Sequence, residues 1–463
     1  MRKVAFVILV VCLLFSANAF AGDYVVGFKG NKVPDGFASA VAAQGGTVVF
    51  EHSILAFVRD LSPEGAAAIG GISGVSEVQA DEPFLLDPVE TGASDEAFDA
   101  PMSPSAPQTA AFFPRQWHLR RIGAHIAWAA GRLGSSSVRV AILDTGIDRK
   151  APSGSASHPD LAGRVDYASG AQFQLDNPAC IPVGFTFNPT DDLMFHGTHV
   201  AATVSSNALA AAGVTSGVTL IPVKVLGLTN TPPTPASPGT CTGGSGSFGA
   251  VLSGVLYAAD IDADVANMSL GGGFAKAANG RFVGLINKTF NYAASQGTVV
   301  VVAAGNSAWD LDHDGNSYIT YCNTPNTVCV SATGPTSSSG TNGPWVNEDA
   351  LATYSNYGSS GISVAAPGGN TGGSVWAACS RSAVSAGLGV CRTGTFVVGS
   401  RGTSMAAPHV TGLAALLTED FGHNSAAQVK ARLQQSADDL GKPGTDPAYG
   451  KGRINVPSAL GLQ

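Results

Sequence analysis

The fold is decided by the stretch VRVAILDTG at residues 138–146, where a mainly apolar run ends at an acidic residue and a turn. Three further runs of this kind follow at residues 220–226, 265–270 and 299–303, and helical stretches separate them. Such alternation predicts a mostly parallel sheet with helices on both of its faces. We therefore predict an α/β fold for residues 112–463, with functional groups at the carboxyl ends of the strands.

A smaller unit precedes this domain. Residues 22–86 contain four short strand-like runs and two helical ones, in the order β-α-β-β-α-β. This order predicts a small α+β domain of the ferredoxin-like kind.

Other segments have the composition of loops. Residues 87–111 are rich in Pro, Ser, Ala and acidic side chains, so we predict an exposed linker that buries little surface. Within the larger domain, three stretches are predicted to be surface loops without a role of their own: residues 148–158, 229–244 and 334–347.

The first 21 residues have the pattern of a secretory signal peptide. A basic start, Met1-Arg2-Lys3, is followed by an apolar run at residues 4–15 and by small residues that include Ala19 and Ala21. The run is shorter than the roughly 20 residues of a membrane span, and no later stretch comes closer. We therefore predict export to the extracellular space or periplasm, without a membrane anchor.

The composition excludes several classes of protein. Charged residues make up 13% of the 463 residues and the net charge is -8, whereas soluble proteins have about 25% charged residues. A disordered chain and a coiled coil are excluded, and no basic field is present to bind nucleic acid. The 58 glycines predict a compact fold with many tight turns.

Six cysteines remain after removal of the signal peptide: Cys180, Cys241, Cys322, Cys329, Cys379 and Cys391. An even number in an exported chain favours disulfides, and six cysteines allow 15 pairings. Short spacings favour local bridges from Cys322 to Cys329 and from Cys379 to Cys391, which would leave the other two to pair. Zinc is the alternative, but the sequence has no C-x2-C pair.

Widely separated motifs supply the parts of a nucleophilic site. Asp144 ends a predicted strand, His196 opens the stretch HGTHV, and Ser404 lies in GTSMAAPHV. A serine hydroxyl is a weak nucleophile until a base takes its proton, imidazole titrates near neutral pH, and a carboxylate orients the imidazole. Asn306, just past another strand, offers a side-chain amide to an oxyanion.

Together these segments resemble the signature motifs of the subtilisin-like serine proteases: Asp144-Thr145-Gly146, His196 to Val200, Ala303 to Asn306 and Gly402 to His409. The resemblance covers about residues 117–460. It implies a secreted serine endopeptidase that hydrolyses protein or peptide substrates. By this resemblance Asp144 orients the imidazole, His196 is the base, Ser404 is the nucleophile, and Asn306 binds the oxyanion.

The resemblance also implies roles for other segments. Residues 22–86 would be a propeptide that assists folding and inhibits the enzyme until self-cleavage within the linker. The backbone of Ser269, Leu270, Gly271 and Gly272 would pair with an extended substrate. Small residues at 271–273 and at 303–305 would let the first specificity pocket accept large apolar residues, although the loop at 318–323 could change this preference. The chemistry needs no cofactor, and we expect a monomer.

A structural calcium ion is a further expectation. Asp310-x-Asp312-x-Asp314-Gly315 copies the first half of a calcium-binding loop, but its twelfth position is Tyr321 instead of Glu. We do not expect the calcium loop that many family members carry, because residues 208–213 lack side-chain oxygens.

Other functions remain as alternatives. His196 and His199 have the spacing of a zinc-binding H-x-x-H pair, but the Glu of H-E-x-x-H is replaced by Gly197. An α/β-hydrolase would have the order Ser, Asp, His. A catalytically silent exported binding protein is disfavoured because Asp144, His196, Asn306 and Ser404 are all present. An acid peptidase with Ser, Glu and Asp is disfavoured by the presence of His196 and Asn306.

Overall fold

A computed structural model describes residues 21–86, 90–97, 101–149, 157–230, 240–277 and 279–462. Residues 1–20 of the predicted signal peptide lie outside these ranges. Within the ranges, no helix combines the length and apolar character that a membrane span requires.

The N-terminal unit is a four-stranded antiparallel sheet with two helices. Its elements are β1 (Gly22–Phe28), α1 (Phe37–Ala43), β2 (Thr47–Glu51), β3 (Leu55–Leu61), α2 (Pro63–Gly70) and β4 (Val75–Ala80). The strand order is β2-β3-β1-β4. Alternate side chains of a strand point to opposite faces, so Val26 packs with the helices while Val25 faces the larger domain. The predicted β-α-β-β-α-β order is confirmed.

Two strands, β5 (Pro83–Leu85) and β6 (Glu90–Glu96), connect this unit to the larger domain. The remaining strands are β7 (Arg139–Asp144), β8 (Ala171–Gln172), β9 (Thr219–Lys224), β10 (Leu226–Asn230), β11 (Cys241–Ser247), β12 (Val265–Met268), β13 (Phe274–Ala275), β14 (Val299–Ala303), β15 (Ser317–Tyr318), β16 (Thr327–Thr333), β17 (Ser337–Ser338), β18 (Trp345–Val346), β19 (Val364–Pro367), β20 (Val375–Ala378) and β21 (Phe396–Arg401). The helices are α3 (Trp117–Arg121), α4 (Ala124–Ala129), α5 (His196–Val204), α6 (Phe248–Asp260), α7 (Gly280–Ser295), α8 (Thr403–Phe421), α9 (Ala426–Gln435) and α10 (Val456–Leu460).

A seven-stranded parallel sheet forms the centre, in the order β19-β16-β14-β12-β7-β9-β8. The run VVVVA of β14 is buried at every position, as expected when both faces of a parallel sheet are covered. Helices α5 and α8 pack on one face, and α6 and α7 pack on the other. The predicted fold, a parallel sheet between two layers of helices, is confirmed.

Three disulfides stabilise the larger domain. Cys322 pairs with Cys329 and Cys379 pairs with Cys391, as the short spacings favoured. Cys180 pairs with Cys241 and attaches the start of β11 to the loop before α5.

Two segments predicted to be loops have a different structure. Part of the predicted linker is β6, which pairs with β21, and Pro107 and Ala110 are buried. The prediction of an exposed linker was therefore wrong at Pro107 and Ala110. At β6, backbone hydrogen bonds to β21, which composition does not reveal, hold a polar segment in place. Likewise, the end of the 229–244 stretch is β11, a strand between β10 and β5.

Candidate active site

The structure brings the four predicted site residues to the carboxyl edge of the sheet. Asp144 is the last residue of β7, and Asn306 follows β14. His196 is the first residue of α5, and Ser404 lies in the first turn of α8. These neighbouring strands and helices thus place groups from distant parts of the sequence at one edge.

A buried pair joins the end of β7 to the start of α5. Nδ1 of His196 lies 2.7 Å from Oδ1 of Asp144, and neither side chain is exposed. The backbone N–H of Thr145 donates to the same carboxylate oxygen. A carboxylate that accepts from Nδ1 leaves Nε2 as the acceptor and stabilises the ring when it becomes protonated. This pair can therefore act as a general base.

Asp192, which the sequence analysis did not single out, fixes where α5 begins. Its buried carboxylate accepts from the backbone N–H groups of Met194, Phe195 and Thr198 and from the hydroxyls of Thr145 and Thr198. These bonds satisfy N–H groups that a helix start leaves without intrahelical partners. The sequence signal was an aspartate four residues before the helix, where a negative charge is favourable.

Ser404 and His196, the predicted nucleophile and base, are not hydrogen-bonded to each other in this conformation. The Ser404 hydroxyl donates to the backbone oxygen of Ser269 at 3.2 Å. Nε2 of His196 is buried and has no hydrogen-bond partner among the described residues. Catalytic hydrogen bonds often form only when substrate binds. Proton transfer from Ser404 therefore requires its hydroxyl to leave Ser269.

Asn306 has a defined orientation. Its Oδ1 accepts from the backbone N–H and from the hydroxyl of Thr403, each at 2.8 Å. The Thr403 hydroxyl also accepts from the N–H of Gly305. Since Oδ1 is held by Thr403, the amide NH2 faces the other way and can donate to an oxyanion. The bonds to Thr403 also attach Asn306 to the turn that carries Ser404.

The close approach of α5 to β7 requires glycine at position 197. A Cβ there would lie 2.1 Å from the backbone oxygen of Gly146 and 3.2 Å from Oδ1 of Asp144. We expect Gly197→Ala to lower the free energy of unfolding by about 1–3 kcal/mol, because the helix must move. We also expect it to lower kcat/KM, because that movement separates His196 from Asp144. Urea unfolding and peptide hydrolysis measure the two effects.

Gly284→Ala is the matched control for this change. Gly284 lies inside α7, and no atom lies within 4 Å of a Cβ added there. Alanine should stabilise that helix by about 0.5–1 kcal/mol and leave kcat/KM unchanged. A Gly197→Ala variant as stable and as active as the wild type would show that the contact between α5 and β7 is not as close as described.

A chain of buried histidines supports the turn that follows Ser404. Nδ1 of His118 lies 2.8 Å from Nε2 of His409, and Nδ1 of His409 lies 2.8 Å from the backbone oxygen of Met405. The backbone N–H of Trp376 donates to Nε2 of His118. Every contact is satisfied when both rings are neutral and carry the proton on Nδ1. Burial lowers the pKa of His409 to about 4.

This burial predicts a pH-dependent contribution of His409 to stability. Below its ordinary pKa of 6.5 the unfolded chain binds a proton, whereas the folded chain does not until about pH 4. The contribution of His409 is therefore complete above pH 6.5 and is lost as the pH falls toward 4, by roughly 1 kcal/mol per pH unit. The stability difference between the wild type and His409→Gln should shrink over this interval, as measured by urea unfolding at several pH values.

An exposed histidine serves as the control for the pH experiment. Hydrogen bonding to Asp310 raises the pKa of His313, so the stability difference for His313→Gln should not shrink as the pH falls. A difference for His409→Gln that stays constant from pH 7 to pH 4 would contradict the neutral histidine chain.

The segment after the N-terminal unit lies in a cleft beside these residues. Strand β5 pairs antiparallel with β11, and the N–H of Leu86 donates to the backbone oxygen of Gly244 at 2.8 Å. The ring of Phe84 lies over Gly272 and 5.7 Å from the ring of Phe248. The chain's own residues therefore occupy this part of the cleft.

The predicted substrate-binding stretch forms the other wall of the cleft. Ser269 contacts Ser404, Leu270 is buried in the core, and Gly271 and Gly272 line a cavity of about 340 Å3. Strand β5 forms its backbone ladder with β11. Pairing of residues 269–272 with a substrate therefore stays a prediction. Sequence analysis missed the contribution of β11 because its glycine-rich run has the composition of a loop. Tyr318, Ile319 and Thr320 also line this cavity, and an effect of their loop on specificity stays a prediction.

The three aspartates of the predicted calcium loop interact with different partners. Asp310 accepts from the N–H of Asp312, Asp312 accepts from the backbone N–H groups of residues 359 and 360, and Asp314 forms an ion pair with Lys276 at 2.7 Å. The described ranges contain no group of three or more His, Cys, Asp or Glu side chains placed to hold a metal ion. Calcium binding here stays a prediction that the geometry does not support.

In the loop at residues 207–213, only Asn207 has a side-chain oxygen, and a carboxylate from outside the loop binds its backbone. The backbone N–H groups of Leu209, Ala210 and Ala211 donate to the buried carboxylate of Asp160. Asn207 donates to the backbone oxygens of residues 159 and 162. Side chains therefore supply the contacts that order this loop.

Comparison with known proteins gives consistent matches. The model of the Subtilase family matches residues 135–452. Thermitase of Thermoactinomyces vulgaris is 31% identical over 352 residues, which are 75% of this chain and 97% of thermitase. The thermophilic serine proteinase of Bacillus sp. (strain AK1) is 28% identical over 95% of this chain and 87% of its own length. The epidermin leader peptide processing serine protease of Staphylococcus aureus has the same fold, with a TM-score of 0.67 at 20% identity over 96% of this chain and 98% of its own.

Proposed function

The chain belongs to the subtilase family and is a subtilisin-like serine endopeptidase, and from this premise we propose that it is a secreted enzyme made as a self-processing zymogen. The observation that carries the proposed site is the buried contact of 2.7 Å between Asp144 and His196, at the same sheet edge as Ser404 and Asn306. The family match covers residues 135–452 as a unit, whereas the roles below are assigned residue by residue.

The chemistry follows from these positions. The Ser404 hydroxyl attacks the peptide carbonyl carbon while Nε2 of His196 takes its proton, and Asp144 stabilises the protonated ring. The resulting oxyanion accepts hydrogen bonds from the amide of Asn306 and the N–H of Ser404. Collapse breaks the C–N bond, and His196 returns the proton to the leaving amine. Water then hydrolyses the acyl-enzyme by the same steps in reverse.

The position of β5 supports the role of residues 22–86 as an inhibitory propeptide. This strand and Phe84 occupy the cleft that a substrate would need. After β5, the chain forms β6, in which the backbone of Glu90 lies opposite that of Arg401 in β21. Arg401 is only three residues before Ser404. We propose that self-cleavage occurs between Leu86 and Glu90, the interval bracketed by these two paired strands. It overlaps the linker in which cleavage was predicted from the sequence.

Secretion is supported by two features. Residues 1–21 have the pattern of a signal peptide, and the three disulfides are of the kind that persists in oxidising compartments. The side chains of the cleft support a preference for apolar substrate residues, since Phe84 packs there against Phe248.

Expression of the precursor as wild type and as Ser404→Ala tests this proposal. The wild type should release a fragment that ends between residues 86 and 89, as measured by mass spectrometry, and should then hydrolyse casein. Ser404→Ala should remain a single chain apart from removal of the signal peptide. Equal processing of both proteins would overturn the proposal. Cleavage of the wild type elsewhere in the linker would overturn only the proposed maturation site.

A further inference from the structure

The strand that leads into Ser404 has an edge that pairs with another chain segment. Strand β21 lies between β20 and β6, and its antiparallel register with β6 runs from Phe396 opposite Glu96 to Arg401 opposite Glu90. If β6 departs, β21 becomes an edge strand with free hydrogen-bonding groups. Such an edge can bind any extended peptide through its backbone.

The direction of the chain defines which part of a substrate this edge would bind. β5 comes before the bracketed interval and pairs with β11, and β6 comes after it and pairs with β21. A substrate that runs through the cleft in the same direction places the residues before its cleaved bond at β11. The residues after the bond then lie along β21.

A positively charged side chain is fixed beside this edge. The guanidinium of Arg115 lies 4.4 Å from the ring of Phe112 and 4.7 Å from the ring of Trp376. Its Nη1 lies 3.1 Å from Oδ2 of Asp95 on β6, and its side chain is 14% exposed. A guanidinium held between two aromatic rings is oriented before binding and favours a carboxylate over a neutral partner.

Charge and apolar contacts also favour an acidic segment at this edge. Residues 90–99, ETGASDEAFD, contain four acidic residues and no basic one. Arg115 and Arg401 line a cavity of about 210 Å3 at this edge, in a protein of net charge -8. Ala97, just after β6, packs into a small apolar cluster with Trp376.

We propose that the edge of β21 and Arg115 form a substrate subsite for the residues that follow the cleaved bond, and that this subsite selects an extended segment with Asp or Glu in the place of Asp95. The linker, which stays attached to the mature enzyme after the proposed cleavage, is its first occupant, and acidic polypeptide substrates displace it. The inference rests on the proposed function, because it takes Ser404 as the point of cleavage. For a bond between Leu86 and Glu90, the place of Asp95 is the sixth to ninth residue after the cleaved bond.

Internally quenched peptides test this subsite. They share one sequence before the cleaved bond and extend ten residues beyond it, with a single Asp or Asn placed at the sixth, seventh, eighth or ninth position. We expect Asp to raise kcat/KM about three- to tenfold over Asn at one of these positions at low salt, as expected for a charge-assisted contact. Arg115→Gln should abolish the gain, and Arg115→Glu should transfer the preference to Lys.

Arg120→Gln is the matched control. Its guanidinium also lies over aromatic rings, at 5.4 Å from Phe113 and 5.2 Å from Trp345, but it donates to backbone oxygens of residues 113 and 114. This variant should keep the preference for Asp. If Arg115→Gln does not fold, loss of the Asp gain in the wild type at high salt supplies the same test.

A peptide nitroanilide, which has no residues beyond the cleaved bond, separates the two claims. Arg120→Gln should hydrolyse it at the wild-type rate. Failure of the wild type to hydrolyse it would defeat the proposed function itself. Normal hydrolysis of the nitroanilide with no gain from Asp at any of the four positions would overturn the subsite alone, and so would a gain that persists in Arg115→Gln.

Discussion

Replacement of Ser404 by alanine is expected to lower kcat for peptide hydrolysis on the order of 10⁶-fold, the magnitude measured for the nucleophile of subtilisin. Without the hydroxyl no acyl-enzyme forms, and only the binding contacts and the oxyanion donors remain. The comparison requires mature protein, so both precursors are processed with tagged wild-type enzyme, which is then removed. Nitroanilide hydrolysis is then measured under saturating substrate.

Ser253→Ala is the control for this variant. Ser253 is as buried as Ser404, but its hydroxyl donates to the backbone oxygen of Gly249 inside α6, away from the site. Its replacement should leave kcat unchanged. A Ser404→Ala enzyme that retains more than about a thousandth of the wild-type kcat would contradict the assignment of Ser404 as nucleophile.

Replacement of Asn306 by alanine is expected to lower kcat by about 10²–10³-fold, a magnitude measured on the oxyanion asparagine of subtilisin. KM should change little, because the amide donates to charge that develops only in the transition state. Steady-state kinetics on the nitroanilide separate the two constants. A loss that appears mainly in KM would place Asn306 in substrate binding instead.

Asn306→Asp distinguishes the oxyanion role from a structural one. Asn306 also accepts two hydrogen bonds from Thr403, and alanine removes both. Aspartate keeps these acceptors but places negative charge where the oxyanion forms, so its kcat should be no higher than that of the alanine variant. Thermal unfolding of both variants shows how much of the loss comes from stability. Restoration of activity in Asn306→Asp would mean that the bonds to Thr403, not donation to the oxyanion, are what catalysis needs.

Much of the fold and of the candidate site could be predicted because the local signals are strong. The runs that became β7 and β14 are continuous and apolar, and parallel strands bring their carboxyl ends to one edge. Asp144 and Asn306 could therefore be placed near each other from sequence alone. Two disulfides were favoured by short spacing for a similar reason, since seven and twelve residues close small loops.

Other features depend on partners that are distant in the sequence. Composition predicts a loop for β11 and an exposed linker for β6. Both are strands because β11 pairs with β5 and β6 pairs with β21. The spacing of Asp310, Asp312 and Asp314 predicts convergence, but competing donors such as Lys276 bind these carboxylates separately. Local sequence does not contain these competing interactions.

The polar residues that support His196 and the turn after Ser404 also depend on contacts that the local sequence does not show. Asp192, His118 and His409 are buried: Asp192 accepts from the backbone N–H of Phe195, His118 accepts from the N–H of Trp376, and His409 contacts the backbone oxygen of Met405 and the ring of His118. Polar residues of this kind are buried only where they have hydrogen-bond partners, and the local sequence does not identify those partners. The structure therefore adds the residues that support the site, whereas the sequence motifs contain its proposed reactive groups.

Labelling of the mature enzyme with a fluorophosphonate tests the central claim most directly, because this reagent reacts with a serine only when a base activates it. Peptide mapping by mass spectrometry should find one phosphonylated residue, Ser404, and His196→Ala should abolish the labelling while the protein remains folded. Labelling of another residue, or undiminished labelling of Ser404 in His196→Ala, would contradict the proposed roles of Ser404 and His196.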